Sequence, residues 1–217
     1  MTSSRQMLCA AAVAIALSGC AGQGDIVVDQ GVGITAVRGV CPAVGVPDYT
    51  GDMTVFRDPA AARTADNIDV TAAMTNLRST CNDSGDRVYT EATFDVLARR
   101  TDTRGARRVE LPFFSTVLRG GSAVQSKRVG TVVIDFADGQ ERARGSGRAG
   151  AFVDRSEATL PADIRERITR RRRAGDADAA LDPLADPEVR AALNRATFEV
   201  LVGFQLTEQQ LTYNVTR

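Results

Sequence analysis

Val88-Tyr89-Thr90-Glu91-Ala92-Thr93-Phe94-Asp95-Val96 is the stretch on which the fold turns. Successive side chains of an extended chain point to opposite faces, so Val88, Thr90, Ala92, Phe94 and Val96 share one side, and Glu91 and Asp95 lie on the other. This alternation predicts a strand with one face on a core and one in water. It recurs over 67–74, where Ile68, Val70, Ala72 and Met74 align. The run 109–118 reads as another strand, and Pro112, which lacks an N–H, predicts an edge position or a bulge there. Thr131 to Phe136 is almost continuously apolar and predicts a buried central strand.

Turn signals stand between these runs: Ser84-Gly85, Arg104-Gly105, Gly120-Gly121 and Asp138-Gly139. The last predicts a hairpin, since both central residues of a type I′ turn need positive φ. Strands at this spacing, joined by turns and not by helices, imply a mainly β fold: an antiparallel two-sheet sandwich, immunoglobulin-like or fibronectin-like, over 34–217. No Trp is present to mark an immunoglobulin core. A helical excursion is expected at about 160–196. Pro161 suits a first helical turn, Ile164 and Ile168 follow Leu160 at four-residue spacing, and Gly175 offers a stop. Asp186 and Pro187 then read as cap and first residue of a second helix through Val189, Ala192 and Leu193. The patterning of 197–206 and 211–215 returns to strands.

The 217 residues, 43% hydrophobic and 25% charged, fit one globular domain with tails. Lys and Arg number 27 and so do Asp and Glu, so any electrostatic partner must be met by a local patch. His is absent, which removes the usual neutral-pH base, every His-based triad and the commonest transition-metal ligand. No cofactor and no metal is expected, and the chain reads as a non-enzyme.

Arg5, the apolar run Met7–Leu17 and the small pair Ser18-Gly19 have the form of an export signal over 1–19. Eleven helical residues reach roughly 17 Å, short of the ~30 Å hydrocarbon core. Leu17-Ser18-Gly19-Cys20 resembles the lipobox of bacterial lipoproteins. That resemblance implies acylation of Cys20, cleavage before it and a membrane partner held through lipid. Ala21 in place of Asp then implies the outer membrane and a periplasm-facing domain. Residues 20–33 would form a flexible tether.

Cys9 falls within the signal and Cys20 is committed to lipid, which leaves Cys41 and Cys81 as an even pair for an oxidising compartment. A disulfide is expected. Arg165, Arg167, Arg170, Arg171, Arg172 and Arg173 crowd one short run. They read either as a solvated helix face or as a patch for an envelope protein, an anionic lipid or lipopolysaccharide. Nucleic acid is not an expected partner, because the run has no interleaved aromatics and export removes the chain from the cytoplasm.

Three further patterns lead nowhere. Gly145-Ser146-Gly147-Arg148-Ala149-Gly150 has the letters of a dinucleotide fingerprint, but Glu141-Arg142-Ala143-Arg144 stands where an apolar strand is needed, so a Gly-rich strand or bulge is expected. Asp176, Asp178, Asp182 and Asp186 do not match a calcium loop. Lys127, the sole Lys, lacks the spacing of a Ser-Lys nucleophile. The expected function is that of an outer-membrane-anchored periplasmic lipoprotein acting as a binding or envelope-assembly module. A carboxylate-dependent hydrolase and a ligand or stress sensor are the competing readings.

Overall fold

The computed structural model describes residues 39–216. Eight strands form two four-stranded sheets. In chain order they are β1 (Ala43–Gly45), β2 (Asp52–Phe56), β3 (Ile68–Asn82), β4 (Arg87–Arg100), β5 (Arg107–Arg119), β6 (Ala123–Phe136), β7 (Arg142–Asp154) and β8 (Phe198–Phe204). One sheet runs β2-β3-β4-β7 and the other β1-β8-β5-β6. All pairings are antiparallel except β1 with β8. The chain changes sheet from β1 to β2, β4 to β5, β6 to β7 and β7 to β8; in the β4–β5 and β7–β8 crossings, β4 neighbours β7 in one sheet and β5 neighbours β8 in the other. Immunoglobulin-type sandwiches relate their B–E and C–F pairs in the same way.

The quoted stretch lies within β4, where Val88, Thr90, Ala92, Phe94, Val96, Ala98 and Arg100 are all buried. Facing them from the other sheet are Phe113, Ile134, Phe136, Val200 and Phe204, in one continuous core. Phe94 meets Phe113 edge-to-face with ring centres 5.1 Å apart. Gly145 and Gly147 are strand residues of β7, as the rejection of the dinucleotide motif requires. A Cβ on Gly145 would lie 2.6 Å from the carbonyl oxygen of Val133 in β6, and one on Gly147 would strike the Phe94 ring. Only glycine lets the sheets close along the β6–β7 margin.

Four expectations about strands and their turns need correction. Thr131–Phe136 belongs to β6, an edge strand, with Val132, Ile134 and Phe136 inward while Val133 is 40% exposed. The run looked continuous because its outward positions include an apolar Val. Pro112 is neither on an edge strand nor at a bulge: β5 is an inner strand, and Pro112 lies one residue beyond the last β5–β8 pair, Phe113 with Phe204. Its missing donor therefore falls where β8 ends, and its carbonyl still accepts from Gln205 N at 2.9 Å. Asp138-Gly139 links β6 to β7 in the opposite sheet and so is not a hairpin, with Gly139 at φ 73°. Residues 211–215 are helical.

Four α-helices, α1 (Arg155–Ala158), α2 (Ala162–Thr169), α3 (Pro187–Ala196) and α4 (Glu208–Thr216), and two short 3-10 turns, Ala65–Asn67 and Pro183–Ala185, complete the described chain. α2 ends at Thr169 and not at Gly175. Ile164 and Ile168 of α2 pack with Leu160 and with Val189 and Ala192 of α3 in a second small core. Asp186 caps α3 by accepting from Glu188 N at 2.8 Å, with Pro187 at its first position. α4 starts at a reciprocal box: Gln210 N donates to Thr207 Oγ1 at 3.2 Å and Thr207 N to Gln210 Oε1 at 2.9 Å. Its Asn214 is buried and donates at 2.8 Å to the carbonyls of Tyr49 and Asp52. Of the described residues, 39–170 and 181–216 form one compact unit, and Arg171–Ala180 belong to another.

Candidate functional site

Cys20 and the lipobox, the signal over 1–19 and the tether to 33 lie outside the described residues. Cys41 and Cys81 form the expected disulfide, with Cα atoms 6.1 Å apart. Cys41 precedes β1 and Cys81 lies in β3, so the bond joins the two sheets. Both cysteines are exposed.

The six arginines of 165–173 have several different settings. In α2, Arg167 reaches Glu188 Oε2 at 2.8 Å and also the capping carboxylate of Asp186, which ties α2 to α3. Glu188 first and Asp186 beside it raise the Arg167 pKa. Asp186 is held below the usual carboxylate range by the Glu188 backbone N–H first, and also by that of Val189 and by Arg167. Arg165 is exposed on the same helix, and Arg170 closes it, its backbone N donating to Glu166 O at 2.9 Å. In the unit containing Arg171–Ala180, Arg172 is 4% exposed and pairs with Asp178 at 3.3 Å, while Arg173 N donates to Asp176 Oδ2. Arg171 is exposed there.

A second concentration of arginine was not anticipated. On β7 the inward positions are Ala143, Gly145, Gly147 and Ala149, which places Arg142, Arg144, Ser146 and Arg148 on the outer face, all exposed. Alternate residues of a strand are about 6.6 Å apart, so Arg142 to Arg148 spans roughly 20 Å. The register sets Arg99 of β4 opposite Arg142, Leu97 opposite Arg144, and Thr93 between Arg148 and Arg78 of β3. Arg99, Arg142 and Arg144, with Thr71, Ala73 and Leu97, line an open groove of about 670 Å³. The alternation of Arg over 142–148 was visible in the sequence, but the Gly-rich letters drew the reading toward a nucleotide motif and its rejection.

The acids of this face are largely engaged. Glu141 pairs with Arg99, Asp95 accepts from Asn76 Nδ2 at 2.8 Å, and Glu91 accepts from Tyr89 OH at 3.1 Å. That last bond is the main cause of the raised Tyr89 pKa. Asp52 stands at the groove margin. The side chains of Arg142, Arg144 and Arg148 make no ion pair or hydrogen bond with the described residues. The arrangement can attract oxyanions, and it brings together no nucleophile and base. Comparison with protein-family models, with curated proteins and with solved structures finds no match for this chain.

Proposed function

We propose that this chain is an outer-membrane lipoprotein, exported and acylated on Cys20, whose sandwich serves in the periplasm as a non-enzymatic binding or assembly module. The observation that carries the reading is the Cys41–Cys81 disulfide, which belongs to an oxidising compartment and agrees with the export signal and lipobox ahead of it. The carboxyl groups argue in the same direction. A carboxylate-dependent hydrolase needs an acid whose pKa is raised by burial or by a like charge. Asp102, Asp135 and Asp186 are shifted the other way, each lowered by hydrogen bonds and nearby Arg. The unpartnered arginines of β7 give the module a surface to bind with.

Labelled palmitate tests the anchor. The wild-type protein takes up label and fractionates with outer membranes, whereas Cys20→Ala takes up none. Equal labelling of the two, or a native product that keeps its leader, rejects the proposal.

A further inference from the structure

Several other strand and loop arginines of the sandwich are satisfied from within the chain. Asp102 holds Arg104, Asp69 holds Arg107 through both oxygens at 2.7 and 2.6 Å, and Asp135 holds Arg108. Along the outer face of β7 they are not, and the register even sets Arg142 directly across from Arg99. Like charges in that relation destabilise a sheet unless something negative stands between them. Glu141 answers Arg99 alone.

We propose that the outer face of the β2-β3-β4-β7 sheet binds an extended acidic glycan, whose carboxylate or phosphate groups are taken by Arg142, Arg144 and Arg148. The inference rests on the reading of the sandwich as a binding module, and not on acylation of Cys20. Shape selects a linear ligand: the cations stand in file on one strand, over roughly 20 Å, beside an open groove floored by Thr71 and Ala73. Arg87 of β4 stands apart from this file, opposite Asp154 at 3.6 Å and with its guanidinium 4.7 Å from the centre of the Phe152 ring. Guanidinium forks match carboxylate and phosphate oxygens in pairs.

The same face disfavours single-stranded nucleic acid, the other extended polyanion. Such strands are gripped by stacking bases on open aromatic rings. Here no aromatic ring lines the groove, and Phe152, though 53% exposed, packs against Tyr89 with ring centres 4.7 Å apart and has Arg87 over it. An acidic sugar chain needs no free ring, only oxyanion partners and hydrogen-bonding neighbours; Thr93 and Ser146 stand between the cations, and Thr71 stands beside Arg99.

Isothermal titration of the full chain in detergent tests this with three probes: a galacturonate oligomer, a neutral glucan oligomer of the same length, and oligothymidylate. The galacturonate oligomer binds, more weakly as salt rises, and the neutral glucan does not. Replacing all three arginines (R142Q, R144Q, R148Q) weakens binding at least about tenfold, since each charged hydrogen bond contributes roughly 1.5 kcal/mol or more. Arg144→Glu alone weakens it in the same direction, and Arg190→Gln, in α3, leaves it unchanged.

Oligothymidylate binding as tightly as the galacturonate oligomer, equal binding of the neutral glucan, or undiminished binding by the triple variant would each overturn the proposal. So would a wild-type chain that binds none of the probes. If that chain still takes up palmitate on Cys20, the ligand class fails and the lipoprotein reading stands. Charges that serve only to keep the β7 edge from pairing with another sheet would give no binding in the wild type and self-association in the triple variant.

Discussion

Arg100 is the residue on which two of the four crossovers close. It is 0% exposed and has no carboxylate partner. Its guanidinium donates at 2.8 Å to four main-chain carbonyls, those of Gln140, Gly105, Thr103 and Ala137, and lies 5.2 Å from the centre of the Phe136 ring. Those carbonyls belong to the β4–β5 and β6–β7 connections, which are also joined by Gly139 N to Thr103 O. Methionine here would fill the space and orphan four acceptors, so Arg100→Met is expected to cost about 3–5 kcal/mol in urea unfolding. Arg100→Lys should recover only a minor part, because an ammonium cannot reach a fork of four carbonyls. Gly147→Ala drives a methyl into Phe94 and should cost about 1–3 kcal/mol in the same assay. Arg100 was legible in principle, since it continues the inward file of Val88 to Val96 by two further steps. The stretch quoted from the sequence stops at Val96, two steps short of it.

At the scale of elements, the caps are the sensitive points. The folded Asp186 carboxyl binds its proton less tightly than it would in an unfolded chain, so its contribution is complete at neutral pH. That contribution begins to fall as pH drops through the ordinary carboxylate range near 4 and is lost on reaching the lower folded value. Hydrogen exchange resolved over α3 should therefore show weakened protection in acid, and Asp186→Asn, which keeps a capping oxygen, should flatten that dependence. Thr207→Ala removes one half of the α4 box and should cost about 1 kcal/mol in thermal unfolding.

The helices show what the sequence could and could not convey. Asp186-Pro187 is a local signal with a local cause, and it was readable. Leu211, Tyr213 and Val215 alternate like a strand, yet the Thr207–Gln210 box and the seat of Asn214 over the Tyr49–Asp52 turn make them helical. The second of these depends on a contact 165 residues away in the chain, beyond any local reading. β6 was misplaced for a related reason: whether an apolar strand lies inside a sheet or at its edge is decided by pairing, and Thr131–Phe136 carries no mark of its partners. The β7 arginines were in plain view as letters. Their standing as one file on one face required the knowledge that 142–154 is a strand.

For the whole molecule, the disulfide is the feature most open to manipulation. It closes a separation of 40 residues, for which chain entropy gives about 4 kcal/mol. Both sulfurs belong to exposed residues, so mild reductant should reach them without prior unfolding. A Cys41→Ser, Cys81→Ser chain should lose stability of that order by urea titration, and the wild type in reductant should match it. A smaller loss would mean that the unfolded chain already holds these segments together.

The position of this bond also decides how the protein bears a pull. Force arriving along the chain ahead of Cys41 leaves the main chain there, passes through two sulfur atoms and enters the fifteen-residue strand β3 at Cys81. The three-residue β1, all of β2 and the turn clasped by Asn214 lie between the bridged positions and feel no load while the bond holds. Once it is cut, the same pull falls on β1, whose parallel seam with β8 is three residues long and would peel first.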